Sequence, residues 1–109
     1  MIDYGREQSE ILVTNAELAA SVAKGEEDPS SLTSDERRQF YEFTTWRMAM
    51  WELSFLNHEI GLVDDEMWLA WDGYYRLLVF DKPGYLDFWR DNRTAYDGRF
   101  QNHVDAVLE

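Results

Sequence analysis

The stretch LTSDERRQFYEFTTWRMAMWELSFLNHEIG, residues 32–61, decides the fold of this chain. Thr33 and Glu36 have the spacing of a capping box, in which a hydroxyl and a carboxylate each satisfy a free backbone N–H of the first turn. Asp35 and Glu36 add negative charge where the helix dipole favours it. No proline follows within the stretch. On a helical wheel Phe40, Phe43, Met50, Trp51 and Phe55 share one broad side, while Glu42, Thr45, Glu52 and Glu59 tend to the other. The helix is expected to run to about Ile60 and stop at Gly61. A helix this apolar needs neighbours on more than one side, so it is expected at the centre of the fold.

Working outward toward the C-terminus, Asp64-Asp65-Glu66 opens a second helix whose apolar side is Met67, Trp68, Trp71, Tyr75 and Leu78. Asp81-Lys82-Pro83-Gly84 reads as a turn, and Tyr85 to about Arg93 as a short helix carrying Phe88 and Trp89. Asp97 caps a final helix with Phe100, Val104, Val107 and Leu108 at spacings of three and four. Toward the N-terminus, the segment from about Asp3 to Lys24 is weakly amphipathic through Ile11, Leu12, Leu18, Ala19 and Val22. Thr14 with Glu17 has a second capping-box spacing. Gly25 is placed to end that helix as a left-handed C-cap, with Glu26–Ser31 as a loop. No segment alternates long enough for a strand. The expected fold is all-α, a compact bundle of four to five helices with one long central helix. It is a single domain, with residues 1–31 as an acidic N-terminal helical segment and loop and residues 32–109 as an aromatic-rich helical core.

All five tryptophans lie between Trp46 and Trp89, in a chain of 109 residues with a net charge of −12 and no cysteine. The missing cysteines remove disulfides, thiolate nucleophiles and cysteine-ligated zinc. The acidity argues against direct nucleic-acid binding, which rests on Lys and Arg neutralising phosphates, and against docking on an anionic leaflet. Residues 1–36 carry −7 and residues 37–109 carry −5, so the N-terminal third is the more negative. Eight of the ten bases are arginine. Arginine stacks on aromatic faces, and several are expected against the Trp and Tyr rings. No apolar run approaches the roughly 18 residues of a membrane span, and no basic start precedes an apolar stretch as in a secretory signal. The expected location is therefore cytoplasmic, with no membrane insertion by this chain.

Leu32, Thr33, Glu36 and Arg37 are followed by Phe40 and Trp51-Glu52, then by Gly61-Leu62-Val63-Asp64 and Trp68, the Pro83-Gly84 turn, Phe88-Trp89, and a closing Phe100 with Val104-Asp105. This order of elements resembles a family of small bacterial all-helical proteins with no established function. The resemblance covers roughly the last three quarters of the chain. It implies a helical fold but no activity. In many of these relatives a membrane-spanning helix precedes the position of residue 1, and such an anchor would make the native protein membrane-associated.

Candidate chemistry is sparse. His58-Glu59 lacks the second histidine of a zinc-protease helix, because Leu62 stands there. Asp64-Asp65-Glu66 is consecutive and reads as a helix cap rather than a cation loop. No metal site and no cofactor are expected. Arg47, Trp51, Ser54 and His58, at spacings of four, three and four, share one helical stripe. They form the candidate ligand-binding set, a polar pocket for a small anion with Arg47 as its fork. The competing structural reading pairs Arg47 with an acid from another helix, such as Asp72 or Asp87, and bonds Ser54 back to its own helix.

No catalytic residue is assigned. The leading expectation is a non-catalytic interaction domain that self-associates as a homodimer or holds another protein, with Trp46, Trp68, Trp71 and Trp89 as candidate interface residues. Trp46, turned partly away from the Phe40 side, is the first to inspect. Two alternatives have different signatures. A nucleic-acid-mimicking inhibitor of a DNA-binding protein needs a continuous negative stripe. A small-ligand or enzyme site near Arg47 and His58 needs a concave pocket with convergent polar groups.

Overall fold

The structure is a computed structural model and describes residues 15–79 and 81–109. The fold is all-α. Helices α1 (Ala16–Glu27), α2 (Ser34–Glu59), α3 (Asp65–Val79), α4 (Pro83–Asn92) and α5 (Gly98–Leu108) follow in order, with short 3-10 turns at Pro29–Ser31 and Arg93–Ala95. Among the described residues there is no strand, and no helix is long and apolar enough to cross a membrane. The 26 residues of α2 span about 39 Å at 1.5 Å per residue. That is close to the longest dimension of the molecule, 41 Å, so α2 is its axis. Among the described residues, the other four helices all pack against it.

The local signals for helix ends act as the sequence suggests. Thr33 Oγ1 accepts from the Glu36 N–H at 3.3 Å, and the Glu36 carboxylate accepts from the Thr33 N–H at 2.9 Å. Asp64 Oδ1 accepts from the Met67 N–H at 2.7 Å, so the acidic run there does serve as a cap. Asp97 Oδ1 accepts from Arg99 N at 2.8 Å and Phe100 N at 3.4 Å. Gly61 stops α2 with φ +81°, a conformation that a Cβ would strain. The Leu62 and Val63 N–H groups then fold back onto the Asn57 carbonyl.

Three expectations need correction. Gly25 does not end α1, which continues to Glu27, so the expected loop at Glu26–Ser31 shrinks to a turn around Pro29. Gly25 is there because of a neighbour. A Cβ on it would lie 2.5 Å from Phe40 Cδ2, and one on Gly84 would lie 1.9 Å from the Gly25 carbonyl oxygen. The backbones of α1 and α4 therefore touch at a point where only glycines fit. The start of α1 is capped by Asn15, whose Oδ1 accepts from Leu18 N at 2.9 Å, while Glu17 accepts from Gln39 Nε2 of α2 at 3.0 Å. Thr14, Ile11 and Leu12 lie outside the described residues. Glu52, expected on the solvated side of α2, accepts from the Asp97 N–H at 2.7 Å and fixes the start of α5.

The core is built from rings. Trp51, at the middle of α2, is fully buried. It stacks on Tyr75 of α3 at 5.8 Å and meets Phe100 of α5 edge-on at 5.5 Å. Phe55 meets Trp68 and Phe100, and Phe100 meets Trp89 of α4. Aromatic pairs in such offset geometries contribute about 0.5–1.5 kcal/mol each beyond burial. Large rings let short helices close a core across wide gaps.

Candidate functional site

The stripe Arg47–Trp51–Ser54–His58 faces inward along α2, but its members enter different environments. Arg47 is only 3 % exposed. Its Nη1 donates to the Tyr85 hydroxyl at 2.8 Å, and that hydroxyl donates to Glu26 Oε2 at 2.6 Å. This chain ties α2 to α4 and α1. Burial pushes the Tyr85 hydroxyl well above its usual pKa, with Arg47 opposing and Glu26 reinforcing the shift, so the hydroxyl keeps the proton it donates. The Arg47 guanidinium also lies 4.7 Å above the Phe43 ring. This arginine–aromatic contact thus falls on a phenylalanine, where Trp and Tyr rings were expected. Arg76, Arg90, Arg93 and Arg99 pair with carboxylates.

Trp51 directs its indole N–H to Asp72 Oδ1 at 3.0 Å. Asp72, 4 % exposed, also takes Arg76 Nε at 2.8 Å and His103 Nε2 at 2.7 Å. Burial opposes its charge. The hydrogen bonds from His103 and Trp51 and the charges of His103 and Arg76 outweigh that, so the carboxyl sits below its ordinary value of 3.8. Of the two acids named as partners for Arg47, Asp72 therefore serves Trp51, His103 and Arg76, and Asp87 pairs with Arg90. Ser54 donates back to the Met50 carbonyl at 3.1 Å, as its structural reading held. His58 lies against Asp65 Oδ1 at 2.8 Å and stacks on Trp68 at 5.3 Å. His103 reaches the same indole at 5.4 Å. The two histidines thus share contact with one tryptophan.

The residues that join these elements include several that the sequence reading did not place in a site: His103, Glu26, Tyr85 and Asp105, which accepts from Trp89 Nε1 and Arg93. One signal was legible for Asp72, named there only as a partner for Arg47. It falls in the series Trp68, Asp72, Tyr75, Val79, at spacings of four, three and four, so a carboxylate sits on the buried face of α3. A carboxylate there must be paired.

The candidate interface tryptophans divide. Trp68 and Trp89 are buried in the core, and Trp71 is half-buried on Tyr75. Trp46 is half-buried, standing edge-on to Phe43 at 6.0 Å and 89°. It walls an open groove of about 240 Å³ with Leu18, Gln39, Glu42 and Phe43. Exposed apolar surface lies elsewhere as well. On α3, Leu69 and Leu77 are 67 % and 80 % exposed, and nothing lies within 4 Å of where a Gly73 Cβ would stand between them. Ile60 and Leu62, in the turn that leads into α3, are also exposed. Among the described residues, no group of three or more His, Asp or Glu side chains could hold a metal ion. Comparison with protein-family models, with curated proteins and with solved structures finds no match to this chain.

Proposed function

We propose that this chain is a non-catalytic protein-interaction domain that self-associates as a homodimer through the outer face of α3. The observation that carries the reading is the ridge Leu69–Gly73–Leu77, two exposed leucines placed symmetrically about an uncovered glycine. Residues four apart form a ridge that packs into the grooves of another helix. The ridge is self-complementary: about a two-fold axis at Gly73, Leu69 of one protomer meets the partner's Leu77. An isologous contact of this kind closes on itself.

The polar groups along the α2 stripe support the same reading over a ligand site, because Arg47, Trp51, Ser54 and His58 all bond to the protein's own groups. The surface charge also favours it over nucleic-acid mimicry. Asp87, Asp91 and Asp97 each pair with an arginine, so the carboxylates there do not form an uninterrupted row.

Sedimentation equilibrium tests the proposal. The expected result is a monomer–dimer equilibrium that Leu69→Glu with Leu77→Glu shifts to monomer while helicity is unchanged. A strict monomer at high concentration overturns it.

A further inference from the structure

Besides the α3 face, the groove beside Trp46 has the features of a receptor for one side chain. Phe43 forms its floor and is itself buried, with Arg47 over its ring. Trp46 and Leu18 are its apolar walls, and Gln39 and Glu42 its polar rim. At about 240 Å³ it is smaller than the roughly 300–1,000 Å³ that encloses a drug-sized ligand. Such a volume suits a single bulky anchor, as at the centre of a protein interface.

The groove's polar rim states what should flank that anchor. Glu42 makes no ion pair or hydrogen bond among the described residues, and neither does the Trp46 indole N–H. Next to the groove Gln39 is held by Glu17 and Ser21. Among the residues that line the groove the charged one is Glu42, and it lies on a chain of net charge −12.

We propose that this groove binds a cationic amphipathic segment of another protein, with an apolar side chain inserted between Trp46 and Leu18 on Phe43. A Lys or Arg one helical turn away then meets Glu42. An amphipathic helix offers apolar and basic residues at that spacing, and helix-in-groove binding reads its anchors three or four residues apart. An anionic lipid surface is repelled by the same carboxylate. The site is separate from the Leu69–Leu77 ridge and does not depend on self-association.

The probe is a fluorophore-labelled synthetic helix of leucine and lysine, titrated with the full chain and followed by anisotropy at physiological ionic strength. Its counterpart has glutamate in place of lysine. Saturable binding of the lysine peptide alone is expected. Trp46→Ala should weaken it about 30-fold, the loss typical of an interface anchor. Glu42→Lys, on an exposed position where folding is unaffected, should weaken it about fivefold or more. Glu109→Gln, which removes an acid elsewhere, should leave it unchanged. Absence of saturable binding, equal binding of the glutamate peptide, or full affinity in either Trp46→Ala or Glu42→Lys overturns the proposal. Preferential binding to vesicles of anionic lipid overturns it too.

Discussion

The two sides of α3 were built under different demands. Its inner side, Trp68, Asp72, Tyr75 and Val79, is buried, and its carboxylate is held by three donors from three helices. Its outer side, Leu69, Gly73 and Leu77, leaves two leucines in water and a glycine with nothing over it. Folding accounts for the inner side: Asp72 has three donors, and the rings of Trp68 and Tyr75 pack on Phe55 and Trp51. Folding of the single chain explains nothing about the outer side, where alanine at residue 73 and polar residues at 69 and 77 would be better choices. Abundant aromatic residues are therefore a poor guide to function in this molecule, because most of the rings are committed to the core. The informative residues are the apolar ones that the fold does not use.

The largest test of that contrast is Asp72→Ala. It leaves the buried Trp51 indole N–H and the His103 ring without their acceptor, each such loss costing about 1–3 kcal/mol, while the half-exposed Arg76 guanidinium returns to water. Urea unfolding should show that loss, whereas Leu69→Ser should stay within about 0.5 kcal/mol. Comparable effects at both positions would erase the distinction between the two sides. Asp72→Asn adds a pH readout. The carboxyls of Asp72 and Asp105 lie below 3.8 in the folded chain, the first through its hydrogen bonds and charges overcoming burial, the second chiefly through Arg93 and Trp89. A depressed folded pKa stabilises the native state fully above the unfolded value, and that contribution is lost as the pH falls through the folded one. The native chain should hold its stability down to about pH 4 and lose it below. Asp72→Asn should start lower and show a shallower acid slope.

The second buried polar joint sharpens the comparison from another direction. Tyr85→Phe removes the hydroxyl between Arg47 and Glu26 while keeping the ring against Phe40. A hydrogen bond to a charged group contributes about 1.5–3 kcal/mol, so the expected loss is about 2 kcal/mol. A loss much smaller than this would mean that α1 is held by the Gly25–Gly84 contact and not by the polar chain.

How much of this was legible in the sequence follows from distance along the chain. The cap at Thr33, the stop at Gly61 and the starts at Asp64 and Asp97 rest on contacts between residues two to four apart, or on one residue's own backbone. These are written in consecutive residues, and they sufficed for an all-α fold around a long α2. The polar joints pair residues far apart, such as Trp51 with Asp72 and Glu26 with Tyr85. Nothing in the separate segments says which acid meets which donor, and so Asp72 was assigned to Arg47 although its donors are Trp51, His103 and Arg76. Gly25 shows the limit from the other side. A local rule made it the helix end, and a tertiary contact with Phe40 and Gly84 makes it a notch in the last turn of α1. The groove at Trp46 needs both α1 and α2 in place, so the sequence indicated the tryptophan without its walls.

The smallest expected effect separates the two sides most cleanly. Gly73→Ala places a methyl group in open space on the monomer, where no atom lies within 4 Å. Replacing a mid-helix glycine by alanine stabilises by about 0.5–1 kcal/mol, since glycine loses more backbone freedom on folding. At protein concentrations low enough to keep the chain monomeric, thermal unfolding should therefore move upward. In a dimer crossed at Gly73 the same methyl meets its symmetry mate at the closest approach of the two helices. Overpacking of that kind costs about 1–3 kcal/mol, so the dissociation constant should rise about tenfold or more. One substitution then acts with opposite signs at low and high concentration, an outcome that no effect confined to the single chain produces. Stabilisation at both concentrations, with an unchanged dissociation constant, would leave α3 as a folding element whose outer leucines meet no second copy at this residue.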